Sequence, residues 1–153
     1  MLKLYSKKIP VFQSANMSYD ICLMKKIVAE VTKALSNTDI EIIETHHNRK
    51  VDAPSGTALL LADSINSVLK DKKEYNFDRL SKREKRSNKE IGFSSIRGGN
   101  IVGEHTVSFF GESETFEITH KAYSRAVFAE GALKAARFII EKENGYYKME
   151  DMI

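Results

Sequence analysis

Between Asp39 and Ala58 the chain changes pattern twice, and this double change constrains its fold more than any other feature. Ile40, Ile42 and Ile43 form a β-branched run that reads as a strand from Asp39 to Thr45. A polar block follows, Glu44-Thr-His-His-Asn-Arg-Lys-Val-Asp52, and Ala53-Pro-Ser-Gly-Thr-Ala58 then opens an apolar helical repeat. Its inward positions are Ala58, Leu61, Ala62, Ile65, Val68 and Leu69. Pro54 disfavours helix at Ala53 and suits the start of a helix running to about Lys70. The strand therefore delivers two imidazoles and an ammonium to a glycine-bearing helix start.

The remaining pattern extends this unit. Ile9 to Gln13 reads as a short strand, and Ser14 to Ser18 as a loop whose last serine caps a helix over Tyr19–Leu35. That helix turns Ile21, Met24, Ile27, Val28, Val31 and Leu35 inward. Ile91 to Ile96, Ile101 to Phe110 and Thr115 to Lys121 read as strands. The turns between them, Arg97-Gly-Gly-Asn100 and Gly111-Glu-Ser113, favour antiparallel neighbours. Ser124 can cap a last helix whose stripe is Val127, Phe128, Ala132, Leu133, Ala136, Ile139 and Ile140, ending before Gly145. The expected class is α+β, a mixed or antiparallel sheet with helices packed on one face.

At 153 residues the chain has the length of one domain and needs no covalent staples. Its single cysteine, Cys22, reads as a reduced interior thiol. No stretch resembles a signal peptide, and no apolar run approaches the ~20 residues of a membrane helix. The expectation is a cytoplasmic protein with no membrane partner. From Asp71 to Glu90 the Lys and Arg residues exceed the acids by three, which matches the whole formal charge of +3. The interspersed acids would weaken any phosphate-tracking stripe, so this segment reads as a solvated mixed-charge surface. A nucleic-acid patch with Tyr75 and Phe77 as stacking groups is the alternative set aside.

The polar block carries the chemistry. Strand alternation continued to His47 puts Glu44 and His46 on one face and Thr45 and His47 on the other, so one imidazole lies beside the carboxylate. That pairing suits a proton shuttle, whereas a hydrogen-bonded core histidine is the plainer alternative. Lys50 three residues beyond the two histidines favours the first. No metal site is expected, because adjacent strand residues diverge and nothing nearby completes a zinc set. Ser55-Gly56-Thr57 lies at a helix N-terminus, where amides and the helix dipole attract anions and glycine admits a close ligand. A carboxylate fits there, and ordinary helix capping is the alternative.

Glu44-x-His-His-x-x-Lys-x-Asp-Ala-Pro-Ser-Gly-Thr-Ala58 closely resembles the signature of the dihydrodipicolinate reductase family. Arg97-Gly-Gly-Asn-Ile-Val-Gly-Glu-His-Thr106 and Glu117-Ile-Thr-His-Lys-Ala122, with Ser124-Arg125 beyond, are similar to the family's later strands and final helix entry. The resemblance runs from about Ile9 to the C-terminus. It implies that His46 is a proton donor or acceptor and Lys50 the proton donor, that His47, Gly56 and Thr57 bind substrate, and that Ser55 helps at its carboxylates. The implied reaction reduces a cyclic 4-hydroxy dicarboxylate, with loss of water, by hydride from NADH or NADPH.

The family begins with a Rossmann domain, whose strand, Gly-x-Gly-x-x-Gly turn and helix have no counterpart here. Gly98-Gly-Asn-Ile-Val-Gly103 places Asn100 at the second required glycine and leads into a strand. Residues 1–17 are accordingly expected to be a remnant of the nucleotide-binding domain and an interdomain segment. Residues 18–153 are expected to form the substrate-binding, catalytic and oligomerising domain. Ser14, Ala15, Asn16 and Met17 resemble the segment that touches the nicotinamide end of the cofactor. Arg97 is read as a surface salt-bridge residue, with an approach to the cofactor as the alternative. The chain is expected to be nearly inactive alone, to need a nucleotide-binding half, and to form a homotetramer through its sheet. The rival is a non-catalytic dicarboxylate-binding or interaction module. Loss of a partner domain is expected to leave Cys22 and Leu23 exposed or repacked.

Overall fold

The structure, a computed structural model, describes residues 1–153. Two compact units make up the chain: Met24–Tyr123, and Met1–Leu23 together with Ser124–Ile153. In chain order the elements are α1 (Leu2–Tyr5), β1 (Pro10–Phe12), α2 (Tyr19–Ala34), β2 (Asp39–His46), α3 (Gly56–Val68) and β3 (Glu74–Asn76). They continue with β4 (Glu90–Arg97), β5 (Gly103–Phe110), β6 (Thr115–Ala122), α4 (Ala126–Ile140), β7 (Gly145–Tyr147) and a last 3-10 turn, Met149–Met152.

Within Met24–Tyr123 a five-stranded sheet runs in the order β3-β4-β2-β5-β6. β2 is parallel to β4 and antiparallel to β5. Its burial alternates strictly, with Ile40, Ile42, Glu44 and His46 turned inward. Ala58, Leu61, Ala62 and Ile65 of α3 form the buried face of that helix, which packs over β2 and β5. The Ser64 hydroxyl donates to the Lys25 carbonyl and ties α3 to α2. The fold is a mixed α+β arrangement with its helices peripheral to the central sheet.

One expectation fails here. β4 and β5 are not neighbours, although the turn joining them suits a hairpin. β2, with Ile42 and Ile43 apolar on both faces, takes the centre, whereas Ser94 and Ser95 leave the end of β4 exposed. The connection instead crosses the end of β2. Gly98 N–H donates to the His46 carbonyl, Asn48 N–H to that of Gly99, and His47 N–H to that of Ile101. Gly99 has φ +52°, where a side chain would be strained. By contrast, Gly111-Glu-Ser113 does join antiparallel neighbours, β5 and β6.

The charged segment is folded rather than free. Short β3 pairs with β4, Arg86 bonds Asp39 and Glu41, and Arg79 bonds Glu41 and Glu90. Tyr75 and Phe77 pack on Phe93, at centroid distances of 5.5 and 4.9 Å.

In the other unit β1 and β7 form a two-stranded parallel sheet, and Phe138 of α4 meets both Phe12 and Tyr147 edge-on. The inward face of α4 is not the large apolar stripe. Gly131 and Ala135 are buried, while Ala132 and Ala136 are exposed, Leu133 is 63% exposed and Ile140 is 79% exposed. Small residues win because the Met17 carbonyl oxygen lies 1.7 Å from where a Cβ on Gly131 would stand. In α2, Ile21, Met24 and Val28 are buried as expected, whereas Ile27 is exposed. Cys22 is buried and Leu23 is 40% exposed, so of that pair only Leu23 meets solvent. No helix is long and apolar enough to cross a membrane.

Gly131→Ala must displace the 14–18 loop or α4, and the overpacking should lower stability by about 1–3 kcal/mol despite alanine's better helix propensity. Chemical denaturation of the variant checks this; a midpoint at or above that of the parent would contradict the contact.

Candidate functional site

The site grows from Glu44, whose side chain is 1% exposed. Its carboxylate accepts from donors on three segments. Arg97 at the end of β4 binds it in a fork, Nη1 to Oε2 at 2.8 Å and Nη2 to Oε1 at 2.7 Å. His46, two residues along β2, places Nδ1 at 2.5 Å from Oε2. The Ser55 amide, before α3, donates to Oε1 at 3.2 Å. Each oxygen thus accepts at least twice, and Ser95, cross-strand to Glu44 on β4, adds a further hydrogen bond, so the carboxylate's acceptor capacity is used. Burial, the largest single influence, raises the Glu44 pKa. Hydrogen bonds from Arg97, Ser95 and His46 together outweigh it and hold the group at about 2.

An ionised Glu44 fixes the protonation of His46. Nδ1 faces an acceptor and must carry a proton, so Nε2 is the atom left to gain or lose one. Nε2 lies 3.0 Å from where a Cβ on Gly103 would stand, so glycine there makes room for the ring. Arg97 Nη2 also donates to the Asp52 carbonyl at 2.7 Å and anchors the loop that carries Lys50. The Lys50 ammonium reaches both oxygens of Asp52, at 2.7 and 3.0 Å. Its hydrogen bonds hold Asp52 below the usual carboxylate range.

α3 begins at Gly56, after a cis Ala53-Pro54 bond, so Pro54 stands before the helix rather than within it. Ser55 is the N-cap, and its hydroxyl accepts the Ala58 N–H at 3.2 Å. A Cβ on Gly56 would meet nothing within 4 Å, so the space beside this first residue of the helix is open. Behind them His105 of β5, cross-strand to both Glu44 and His120, sets Nε2 at 2.9 Å from Ser55 Oγ. Its ring meets His46 edge-on at 5.1 Å. Burial first, then the nearby His46 and further charges including His120 and Lys50, push His105 down to about 4. It is neutral at physiological pH.

Of the residues expected from the sequence, His46, His47, Lys50, Ser55, Gly56 and Thr57 all lie in Met24–Tyr123, around the end of β2 and the start of α3. Ser14, Ala15, Asn16 and Met17 lie in the other unit. There the Ser14 hydroxyl donates to the Asn16 carbonyl at 2.6 Å, and Asn16 Oδ1 accepts the Ser18 amide at 2.8 Å. Arg97 is not a surface salt-bridge residue but the partner of a buried carboxylate. Asp52, Ser95, His105 and His120 went unassigned in the sequence; the two histidines lie in motif segments, but only the β2–β5–β6 register brings them to this end of the sheet. No group of three or more His, Cys, Asp or Glu residues is arranged to hold a metal ion.

Residues 20–153 match the family model described as dihydrodipicolinate reductase, C-terminus. The chain belongs to the dihydrodipicolinate reductase family. It is 54% identical over 148 residues to the 4-hydroxy-tetrahydrodipicolinate reductase of Caldanaerobacter subterraneus subsp. tengcongensis, covering 97% of this chain and 59% of that protein. It is 53% identical over 152 residues to that of Clostridium novyi, with the same shares covered. Among solved structures, a dipicolinate-bound dihydrodipicolinate reductase from Paenisporosarcina sp. TG-14 superposes with a TM-score of 0.78 at 26% identity, over 99% of this chain and 58% of that one. The chain thus spans somewhat over half the length of the relatives it matches.

The buried groups set an acid limit on stability. His105 binds a proton more readily unfolded, near 6.5, than folded, near 4, so its contribution is complete above 6.5 and is lost as pH falls toward 4. Glu44 acts lower, between its ordinary 4.5 and about 2. Unfolding free energy should fall by about 1.4 kcal/mol per pH unit at most in the upper window. His105→Gln should remove that slope in urea titrations; an unchanged slope would contradict the assignment.

Proposed function

We propose that this chain supplies the substrate-binding and proton-donating part of a 4-hydroxy-tetrahydrodipicolinate reductase, which forms tetrahydrodipicolinate with NADH or NADPH. The observation that carries the reading is the arrangement at the end of β2. One carboxylate, bonded by Arg97, His46, Ser55 and Ser95, ties the loop bearing Lys50 to the start of α3.

In this reading the amides of Gly56 and Thr57, with His47, hold the substrate's carboxylates, and the α3 dipole favours their charge. Glycine at 56 lets a carboxylate oxygen approach the backbone to contact distance. Once the 4-hydroxyl has left as water, the conjugated imine that remains accepts hydride, and Lys50 donates the proton that neutralises the charge developing on its nitrogen or the adjacent carbon. Its exposed partner Asp52 holds the ammonium over the loop until a substrate carboxylate competes for it. His46 exchanges a proton at Nε2 while Glu44 stabilises the imidazolium from Nδ1.

The 14–17 loop is braced by its own hydrogen bonds and backed by Gly131. Such a rigid edge fits the nicotinamide end of a cofactor and offers nothing for the dinucleotide phosphates. Bound NADH or NADPH supplies the hydride, and a Rossmann domain must supply most of its binding. The chain assayed without that domain therefore has no appreciable turnover. Assembly as a tetramer would use the sheet face opposite the helices, where Ile96 and Phe110 are exposed.

Pyridine-2,6-dicarboxylate, a planar mimic of the substrate, should bind the purified chain in calorimetry. Gly56→Val and Lys50→Ala should each weaken it by about tenfold or more, roughly 1.4 kcal/mol. Affinity unaltered by both substitutions would remove the α3 start and Lys50 from the site.

A further inference from the structure

His105 takes no part in the reaction outlined above, yet it is 4% exposed, lies against Ser55, and has a buried Nδ1 with no hydrogen-bond partner. The Ser55 hydroxyl can accept two hydrogen bonds and donate one. It already accepts from the Ala58 amide. Its contact with His105 Nε2 can then run in either direction.

If Ser55 donates to His105, the ring proton must sit on Nδ1, where it becomes a buried N–H without an acceptor. If His105 donates to Ser55, the unsatisfied atom is only a ring lone pair. Buried N–H groups without partners are rarer than under-used acceptors, and an orphaned buried polar group costs about 1–3 kcal/mol. The second arrangement therefore prevails. The doubly protonated ring is disfavoured by burial and by the neighbouring His46.

We infer that His105 is a positioning residue, neutral and protonated at Nε2, which fills the last acceptor position of Ser55 Oγ and leaves the serine hydroxyl able only to donate. The helix cap is then held by two donors, one from α3 and one from β5. Ser55 presents its single proton to an anionic oxygen at the α3 start and has no acceptor capacity for a neutral group that must itself donate. This gives the site a preference for carboxylate. The inference rests on the reading of the α3 start as a carboxylate site.

Two measurements on the full chain separate the possibilities. Nitrogen-15 NMR of the histidine rings between pH 6 and 8 should show His105 with its proton on Nε2 and a bare Nδ1. A proton on Nδ1 overturns the inference. In calorimetry with pyridine-2,6-dicarboxylate, His105→Gln, which keeps a side-chain N–H within reach of Ser55, should bind within about threefold of the parent, whereas His105→Leu and Ser55→Ala should each lose about tenfold. The double variant His105→Leu/Ser55→Ala should bind no worse than either single variant, because both act through one hydroxyl. Leucine binding as well as histidine, in a variant whose thermal unfolding remains cooperative, also overturns it. If the parent itself does not bind the dicarboxylate, the carboxylate-site reading falls, and the ring proton still decides the tautomer and cap geometry.

Discussion

A carboxylate that leaves water must have its charge and lone pairs answered, and Glu44 is answered from three directions at once. Arg97 balances the charge in a two-pronged fork, His46 adds a ring donor, and the Ser55 amide brings in the start of α3. Removing one partner of such a pair leaves an uncompensated buried charge, at about 3–5 kcal/mol. Replacing the whole set by apolar groups would cost far less and is often stabilising, so this cluster is poorly explained as a device for stability alone. What it achieves is geometric. The end of β4, distant in sequence, is fixed against the end of β2, the loop after it and the start of α3, and Nδ1 of His46 is held against the carboxylate.

The sheet order gives this cluster its place. With β2 between β4 and β5, Arg97 reaches Glu44 from one side and His105 faces it from the other. The crossing over the end of β2 is short, and its amides and carbonyls bond the residues after His46. That crossing bars β2 from extending past His46, so His47 leaves the sheet and the Lys50 loop begins. His105, kept neutral by burial, lies close to His46 without bringing a charge of its own.

Much of this was legible in the sequence, for physical reasons that can be named. The β-branched run of Ile40, Ile42 and Ile43 marked β2 and its alternation put Glu44 and His46 on one face, while the spacing of Ala58, Leu61, Ala62 and Ile65 foretold the buried face of α3, with Val68 and Leu69 only half-buried. The Gly111 turn foretold the β5–β6 hairpin. The position of β2 was not legible, because a turn reports the direction of the next strand and not whether a third strand intervenes. Short polar β3 had too little pattern to register. α4 misled because size decided its packing, as Gly131 admits the Met17 backbone that a larger side chain would exclude. His46, Lys50 and the Ser55-Gly56-Thr57 start were singled out from local chemistry, and the structure places them around the end of β2 and the start of α3. Arg97 and His105 belong to the site only through register, at sequence distances no motif spans.

The central claim is that Glu44, which touches no ligand in this account, organises the groups that do. Dicarboxylate affinity of Glu44→Gln tests it most directly, measured where circular dichroism shows the variant folded. The amide keeps the shape, loses the charge and brings donors against Arg97 and His46. Binding of pyridine-2,6-dicarboxylate weaker by about tenfold or more, with the fold intact, is the predicted result. Affinity equal to that of the parent would show that Lys50 and the α3 start hold their positions without the carboxylate, and would contradict the account.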